Sequence, residues 1–152
     1  MSSVVTRPET KSQTDIKSQQ SSPYRAICLI QGLYYFVTGL WPLLSIDSFQ
    51  AVTGPKTDHL VTGRPGDHWL VYTVAALITA ESLVFLFAAW RAQPVTEVAI
   101  LAIASSLALI SIDIIFVVRQ TIHSIYLGDA VAEVILIFIW LLVVYRGRWR
   151  LK

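Results

Sequence analysis

The sequence predicts an all-α membrane protein, an antiparallel bundle of four transmembrane helices with a disordered N-terminal tail. Of its 152 residues 55% are hydrophobic and only 14% are charged, whereas soluble domains carry about 25% charged residues. A soluble domain of this size cannot bury so large an apolar fraction, because small domains leave much of their surface exposed. Four long apolar stretches account for the excess.

Each apolar stretch has the length that a bilayer requires. A helix that rises 1.5 Å per residue needs roughly 20 residues to cross a hydrocarbon core of about 30 Å. Strands of a β-barrel would be shorter and would alternate apolar with polar residues, which these stretches do not. Because the turn at 91–94 is short, the second and third spans are expected to be antiparallel neighbours. The predicted spans are 27–46, 70–90, 98–118 and 127–145.

The flanking segments are polar or basic. Residues 1–23 contain six Ser and three Gln and no apolar run, so they are predicted to be a disordered cytoplasmic tail before the four-helix domain, 24–146. Residues 147–152 form a basic cytoplasmic end. Nine of the twelve Lys and Arg residues fall on the side of the termini and of the Arg91 turn, which predicts that both termini are cytoplasmic.

Composition excludes several function classes. The net charge of +2 is too small to indicate nucleic-acid binding. Cys28 is the only cysteine, so the chain has no thiol pair for an internal disulfide or a redox centre. No phosphate-binding loop, dinucleotide-binding glycine motif or helical HExxH motif is found. We expect no cofactor and no metal.

The loop after the first span predicts a short helix at the membrane surface. Asp47 would cap this helix, Gln50 lies at the capping-box position, and Gly54-Pro55 would end it. Phe49 and Val52 would then face the bilayer surface.

The same loop contains a nine-residue repeat. Val52-Thr-Gly54 recurs as Val61-Thr-Gly63, and Asp58-His59 recurs as Asp67-His68. Asp and His are zinc ligands, but nothing fixes their geometry in a loop rich in Gly and Pro. A tandem duplication in a tolerant exposed loop therefore explains the repeat better than a metal site does.

Two motifs lie in the first span and the loop that follows it. Gln31-Gly-Leu-Tyr-Tyr35 leads to Gly39, and Thr53-Gly-Pro-Lys-Thr-Asp58 precedes Trp69-Leu-Val71. Together they resemble a set of small bacterial four-span membrane proteins. In those proteins the loop motif leads directly into the Trp-Leu-Val segment, whereas here that segment comes later, as though residues 59–67, or an equivalent register, had been inserted. The resemblance covers about a third of the chain and implies a bacterial membrane protein; we expect its location to be the plasma membrane.

Three acidic residues lie inside the predicted spans: Glu81, Asp113 and Glu133. An ionised carboxylate at the bilayer centre costs about 2.5 to 3.5 kcal/mol even on the lenient insertion scale, so such residues usually face the bundle interior and mark a functional site. Asp113 and Glu133 are predicted at similar depth, roughly 9 Å below the outer surface. We expect them to face one cavity and to share a proton.

Aromatic residues on the facing helices support a ligand or proton site. Trp140 lies on the helical face of Glu133. The first span offers further polar or aromatic partners, namely Gln31, Tyr34, Tyr35, Thr38 and Trp41. An outward-opening cavity lined by acids and aromatic rings would hold an organic cation by charge and cation–π attraction. A stripe of small residues would turn Asp113 inward: Ala99, Ala102 and Ser106.

The acids also fit purely structural roles. Asp113 can form an ion pair with Arg119 or His123. Asp129 can lie at the N-terminus of a helix, where its charge complements the helix dipole. Glu81 can be neutral and hydrogen-bonded to the first span, where the candidate partners are Tyr34, Tyr35 and Thr38.

Three function classes stay open. The first is a non-enzymatic bundle that binds a lipophilic or cationic small molecule or a lipid. The second is an accessory or assembly subunit of a larger membrane complex, which would present an outward small-residue stripe such as Gly32 and Gly39. The third is a membrane enzyme similar to the sterol-isomerase type of four-helix fold. The expected partners are membrane lipid, a small ligand or a membrane subunit, and no nucleic acid.

Overall fold

The computed structural model describes residues 10–54 and 68–148, which contain five helices and no strand. Four of these helices are long and apolar enough to cross a membrane, and they coincide with the predicted spans. The chain is therefore an all-α membrane protein, as the composition predicts. The helices are α1 (Thr10–Leu44), α2 (Ile46–Thr53), α3 (His68–Arg91), α4 (Thr96–Val118) and α5 (Tyr126–Arg148).

The first helix is longer than its membrane-spanning part, which is Pro23–Leu44. It begins at Thr10, so residues 10–23 of the predicted disordered tail are helical, with Pro23 inside the helix. No Gly or Pro interrupts residues 10–22, and extending an existing helix costs much less than nucleating a new one. The rest of the predicted tail, and residues 149–152 of the basic end, lie outside the described residues.

The four spanning helices form two closely packed pairs. Helix α1 packs along α3, and α4 packs along α5, whereas α3 and α4 touch only slightly although a short turn joins them. The second and third spans are thus neighbours, as the short turn predicts, but they meet along little of their length, where Ser105 bonds to Glu81. The apolar part of α1 is 39% buried, against 17–22% for the other three spans. Helix α1 is the central helix because it contacts α3 on one side and α5 on another.

Two glycines allow α1 to approach α3 closely. A Cβ atom placed on Gly39 would lie 2.9 Å from the backbone nitrogen of Thr79, and one placed on Gly32 would lie 3.0 Å from the Leu86 side chain. The small-residue stripe is therefore used inside the chain, as in other close crossings of membrane helices. It does not form the outward-facing stripe that would favour a partner subunit.

The inward faces of α4 and α5 agree with the predicted stripes. The buried residues of α4 are the predicted set, namely Ala99, Ala102, Ser106 and Asp113. On α5, Glu133 and Trp140 lie on one buried face, as predicted, together with Leu136. Many large aliphatic residues on the opposite faces are exposed, as expected for surfaces that contact lipid.

The short helix predicted after the first span is present as α2, but its cap differs. Ser45 is the N-cap, and its hydroxyl accepts a hydrogen bond from the Ser48 backbone N–H at 3.4 Å. Asp47 lies instead in the first turn, where its charge complements the helix dipole. Gly54 ends the helix as predicted, with a φ of 85° that side-chain-bearing residues rarely adopt.

Helix α2 lies across one end of the bundle. The Trp41 indole N–H donates to Ser48 Oγ at 2.9 Å, and its ring meets Phe49 edge-to-face at 5.6 Å. Phe49 thus packs partly on Trp41, while Val52 is exposed as expected. A Cβ atom on Gly54 would lie 3.6 Å from His123 Cβ, so α2 reaches from α1 to the α4–α5 turn. We call this end of the bundle the outer end. The opposite end, which carries the α3–α4 turn, is called the terminal end. The repeated Asp–His pairs, apart from His68, lie outside the described residues.

Candidate functional site

Five buried side chains from three helices form a hydrogen-bonded group near the middle of the bundle. None of them exposes more than 1% of its surface, so the neighbouring side chains enclose the whole group. Ser106 lies halfway along α4, which places the group at the level of the bilayer centre. We call this group the polar cluster: Gln31, Tyr35, Ser106, Glu133 and Trp140.

Gln31 connects α1 to both helices of the other pair. Its Oε1 accepts a hydrogen bond from the Trp140 indole N–H at 2.5 Å. Its Nε2 donates to Ser106 Oγ at 3.3 Å and to the Ala102 carbonyl oxygen at 3.5 Å. A polar group left without partners in hydrocarbon costs several kcal/mol. These bonds therefore favour one arrangement of the two helix pairs.

The hydrogen bonds lead in one direction, towards Glu133. Tyr35 donates its hydroxyl to Glu133 Oε2 at 3.1 Å, and its oxygen lies 3.4 Å from Ser106 Oγ. Because Ser106 already accepts from Gln31, its own proton is available for Tyr35. Each donor in the series is thus polarised by the next one, and the series ends on the carboxyl group.

The second oxygen of the same carboxyl group differs from the first in its hydrogen bonding. Glu133 Oε1 is buried and has no hydrogen-bond partner among the described residues. Buried polar atoms without partners are uncommon in folded proteins and often mark functional positions. The cluster therefore presents one satisfied and one unsatisfied carboxyl oxygen at the junction of the two helix pairs.

Aromatic rings surround the cluster. Tyr35 meets Phe85 of α3 edge-to-face at 5.8 Å, and Trp140 meets Tyr24 in the same way at 5.8 Å. These contacts fix the rings that carry two of the hydrogen-bonding groups. They also make the surroundings of Glu133 aromatic, which suits a cation.

Glu81 lies outside the polar cluster. It is half-buried, and the hydroxyl of Ser105 on α4 donates to its Oε1. The predicted partners on the first span are therefore wrong. The physical reason is the rotation of α3. Thr79 contacts Gly39 and therefore faces α1. Glu81 is two residues further along and therefore faces away from α1, towards α4.

Tyr34 forms a separate link between α1 and α5. Its hydroxyl donates to Oδ1 of Asp129, which lies in the first turn of α5. Asp129 is thus the helix N-terminal residue that the sequence predicts, with an additional tie to α1. Thr38 bonds to the Tyr34 carbonyl oxygen at 2.9 Å instead of reaching another helix.

Asp113 is buried on α4 but lies nearer the outer end than the polar cluster does. It is 5% exposed, and seven residues, about 10 Å of helix rise, separate it from Ser106. Glu133 instead contacts Tyr35 of α1, whose hydroxyl oxygen also lies 3.4 Å from Ser106 Oγ. A cavity shared by Asp113 and Glu133 stays a prediction.

The structure brings together three of the six predicted site residues, namely Tyr35, Glu133 and Trp140. Gln31, a candidate polar partner on the first span, and Ser106, on the predicted inward stripe of α4, were not among the six predicted site residues. The available signal was the rarity of an amide in a spanning helix, which requires a partner there.

The chain was compared with protein-family models, with curated proteins and with solved structures, and none of these comparisons gave a match.

Proposed function

We propose that this protein is a non-enzymatic multi-pass protein of the bacterial plasma membrane that binds a small lipophilic cation at the polar cluster. The observation that carries the proposal is the fully buried carboxyl group of Glu133 with its open Oε1 atom. Intramembrane carboxyl groups are costly and are usually retained for a ligand, a proton or an ion pair.

The side chains of the cluster suit an organic cation. Glu133 supplies the counter-charge, and the rings of Tyr35 and Trp140 supply faces for cation–π contact. Cation–π attraction is worth about 2 kcal/mol or more where water is excluded. A ligand that donates a hydrogen bond to Oε1 would satisfy the Glu133 carboxyl oxygen that has no partner among the described residues.

Access to the cluster requires the two helix pairs to separate. Within the α1–α3 pair the glycine contacts are tight, whereas α1 and α5 make few close contacts. Many of the described ties between the pairs are hydrogen bonds, and a polar ligand can replace these. The Tyr34–Asp129 hydrogen bond lies one helical turn nearer the outer end than Glu133. A ligand that enters from the outer end would therefore meet this bond before it reaches Glu133.

The proposal is tested with tetraphenylphosphonium as the probe. We expect the purified protein to bind it saturably, and Glu133→Gln to weaken binding about tenfold or more, because a buried charge partner is worth about 2 kcal/mol or more. Glu97→Gln removes an exposed acid in the first turn of α4 and is expected to leave affinity unchanged. Equal affinity of Glu133→Gln and the unmodified protein in equilibrium dialysis would refute the proposal.

The proposed orientation places both termini in the cytoplasm. It predicts that Ala51→Cys, in the exposed part of α2, reacts with a membrane-impermeant maleimide in intact cells. Gln93→Cys, in the exposed α3–α4 turn, should react only after permeabilisation. The native Cys28 is fully buried and serves as the unlabelled background. The reverse pattern of labelling would place the termini outside.

A further inference from the structure

A groove separates α3 from α4 at the terminal end of the bundle. It has a volume of about 190 Å³. It exists because α3 packs along α1 and touches α4 only slightly. Most of the lining side chains are apolar and two are polar; the lining includes Val84, Phe87, Val98, Arg91 and Gln93.

We propose that this groove binds one anionic phospholipid from the leaflet at the terminal end. Its phosphate would pair with the Arg91 guanidinium and the Gln93 amide, and an acyl chain would lie along Val84, Phe87 and Val98. The site is separate from the polar cluster, so this proposal does not depend on the cation-binding function.

The charge of Arg91 and its position at the end of a spanning helix favour a phosphate beside it. Arg91 is the last residue of α3, where a spanning helix meets the headgroup region. A guanidinium group presents a planar fork of donors that matches phosphate oxygens. Trp90 beside it is 76% exposed and contacts the Phe87 ring at 5.5 Å, as interfacial aromatic residues do.

The dimensions favour an acyl chain in the apolar part. Val84 lies seven residues before Arg91, about 10 Å along the helix, which stays within one leaflet of a hydrocarbon core about 30 Å thick. The groove is smaller than the roughly 300 Å³ or more of pockets that enclose compact ligands. Its volume therefore suits a segment of a flexible chain.

The experiment is native mass spectrometry of the full chain in mild detergent. The protein is mixed with equal amounts of phosphatidylglycerol and phosphatidylcholine that carry the same acyl chains. We expect one tightly retained phosphatidylglycerol, preferred by about fivefold or more over phosphatidylcholine. Arg91→Gln should abolish the preference, and Val98→Trp should remove the retained lipid because the indole fills the groove.

Arg146→Gln is the matched control, since Arg146 is an exposed arginine at the terminal end that does not line the groove. It should keep the preference, as should Glu133→Gln, which alters the polar cluster alone. Equal retention of both lipids by the unmodified protein would show that the retained lipid is only non-specific surrounding lipid, and would overturn the proposal. Retention of the preference by Arg91→Gln, or binding of a second copy of the chain in place of lipid, would also overturn the proposal.

Discussion

Replacing Gly39 with alanine is expected to lower the free energy of unfolding by about 2 to 3 kcal/mol. The new Cβ atom would lie 2.7 Å from Thr79 Oγ1, 2.9 Å from Thr79 N and 3.0 Å from the Ala75 carbonyl oxygen. Two of these atoms belong to the backbone of α3 and cannot rotate away, so α1 and α3 must separate along their length. Thermal unfolding in one detergent, followed by circular dichroism, measures the loss.

Two other glycines provide a graded comparison. At Gly32 the new Cβ atom would first meet the Leu86 side chain, at 3.0 Å, and that side chain can move; we expect a loss of about 1 kcal/mol. At Gly128, in the first turn of α5, nothing lies within 4 Å, so alanine is expected to change stability by less than about 0.5 kcal/mol. Similar losses at Gly39 and Gly128 would show that the α1–α3 contact is not the tight one described here.

Replacing Trp140 with phenylalanine is expected to cost about 2 to 4 kcal/mol. The substitution removes the indole N–H that donates to Gln31 Oε1, which leaves a buried carbonyl unpaired at about 1 to 3 kcal/mol. It also leaves space where a fully buried indole stood, and the resulting cavity adds to the cost. The same unfolding measurement applies.

A double-mutant cycle separates the hydrogen bond from the loss of volume. Trp140→Phe combined with Gln31→Met removes both partners, so the pair should cost less than the sum of the single changes by about 1 kcal/mol. Trp90→Phe is the control, because Trp90 is 76% exposed and should change stability by no more than about 0.5 kcal/mol. Strict additivity in the cycle would contradict the Gln31–Trp140 bond.

The spanning helices were predictable because hydrocarbon imposes a length and excludes polar residues. The inward stripe of α4 was predictable for the same reason: Ala102, Ser106 and Asp113 recur at helical spacing on one face, and all three are buried. The partner of each polar group was harder to predict. Glu81 could reach several hydroxyl groups, and only the rotation of α3 against α1 decides that Ser105 is its partner.

Helix pairing was also not predictable from connection lengths. The short α3–α4 turn suggested neighbours, but Gly32 and Gly39 let α1 approach α3 more closely. That choice determines which residues meet between the pairs. It brings Gln31 and Tyr35 of α1 against Ser106 and Glu133, which no single helical pattern reveals.

The proposed function requires the polar cluster to open between the two helix pairs to admit a cation. Ser106 and Ser82 are both fully buried, but Ser106 lies between the pairs, whereas Ser82 is on the face of α3 that carries Thr79 and Leu86 and packs on α1. The measurement compares the rates at which N-ethylmaleimide modifies Ser106→Cys and Ser82→Cys in a Cys28→Ala background.

We expect Ser106→Cys to react about tenfold faster, which corresponds to an opening free energy lower by about 1.4 kcal/mol. Tetraphenylphosphonium should slow the reaction of Ser106→Cys and leave that of Ser82→Cys unchanged. Equal rates at the two positions, or a rate at Ser106→Cys that the cation does not alter, would contradict the claim.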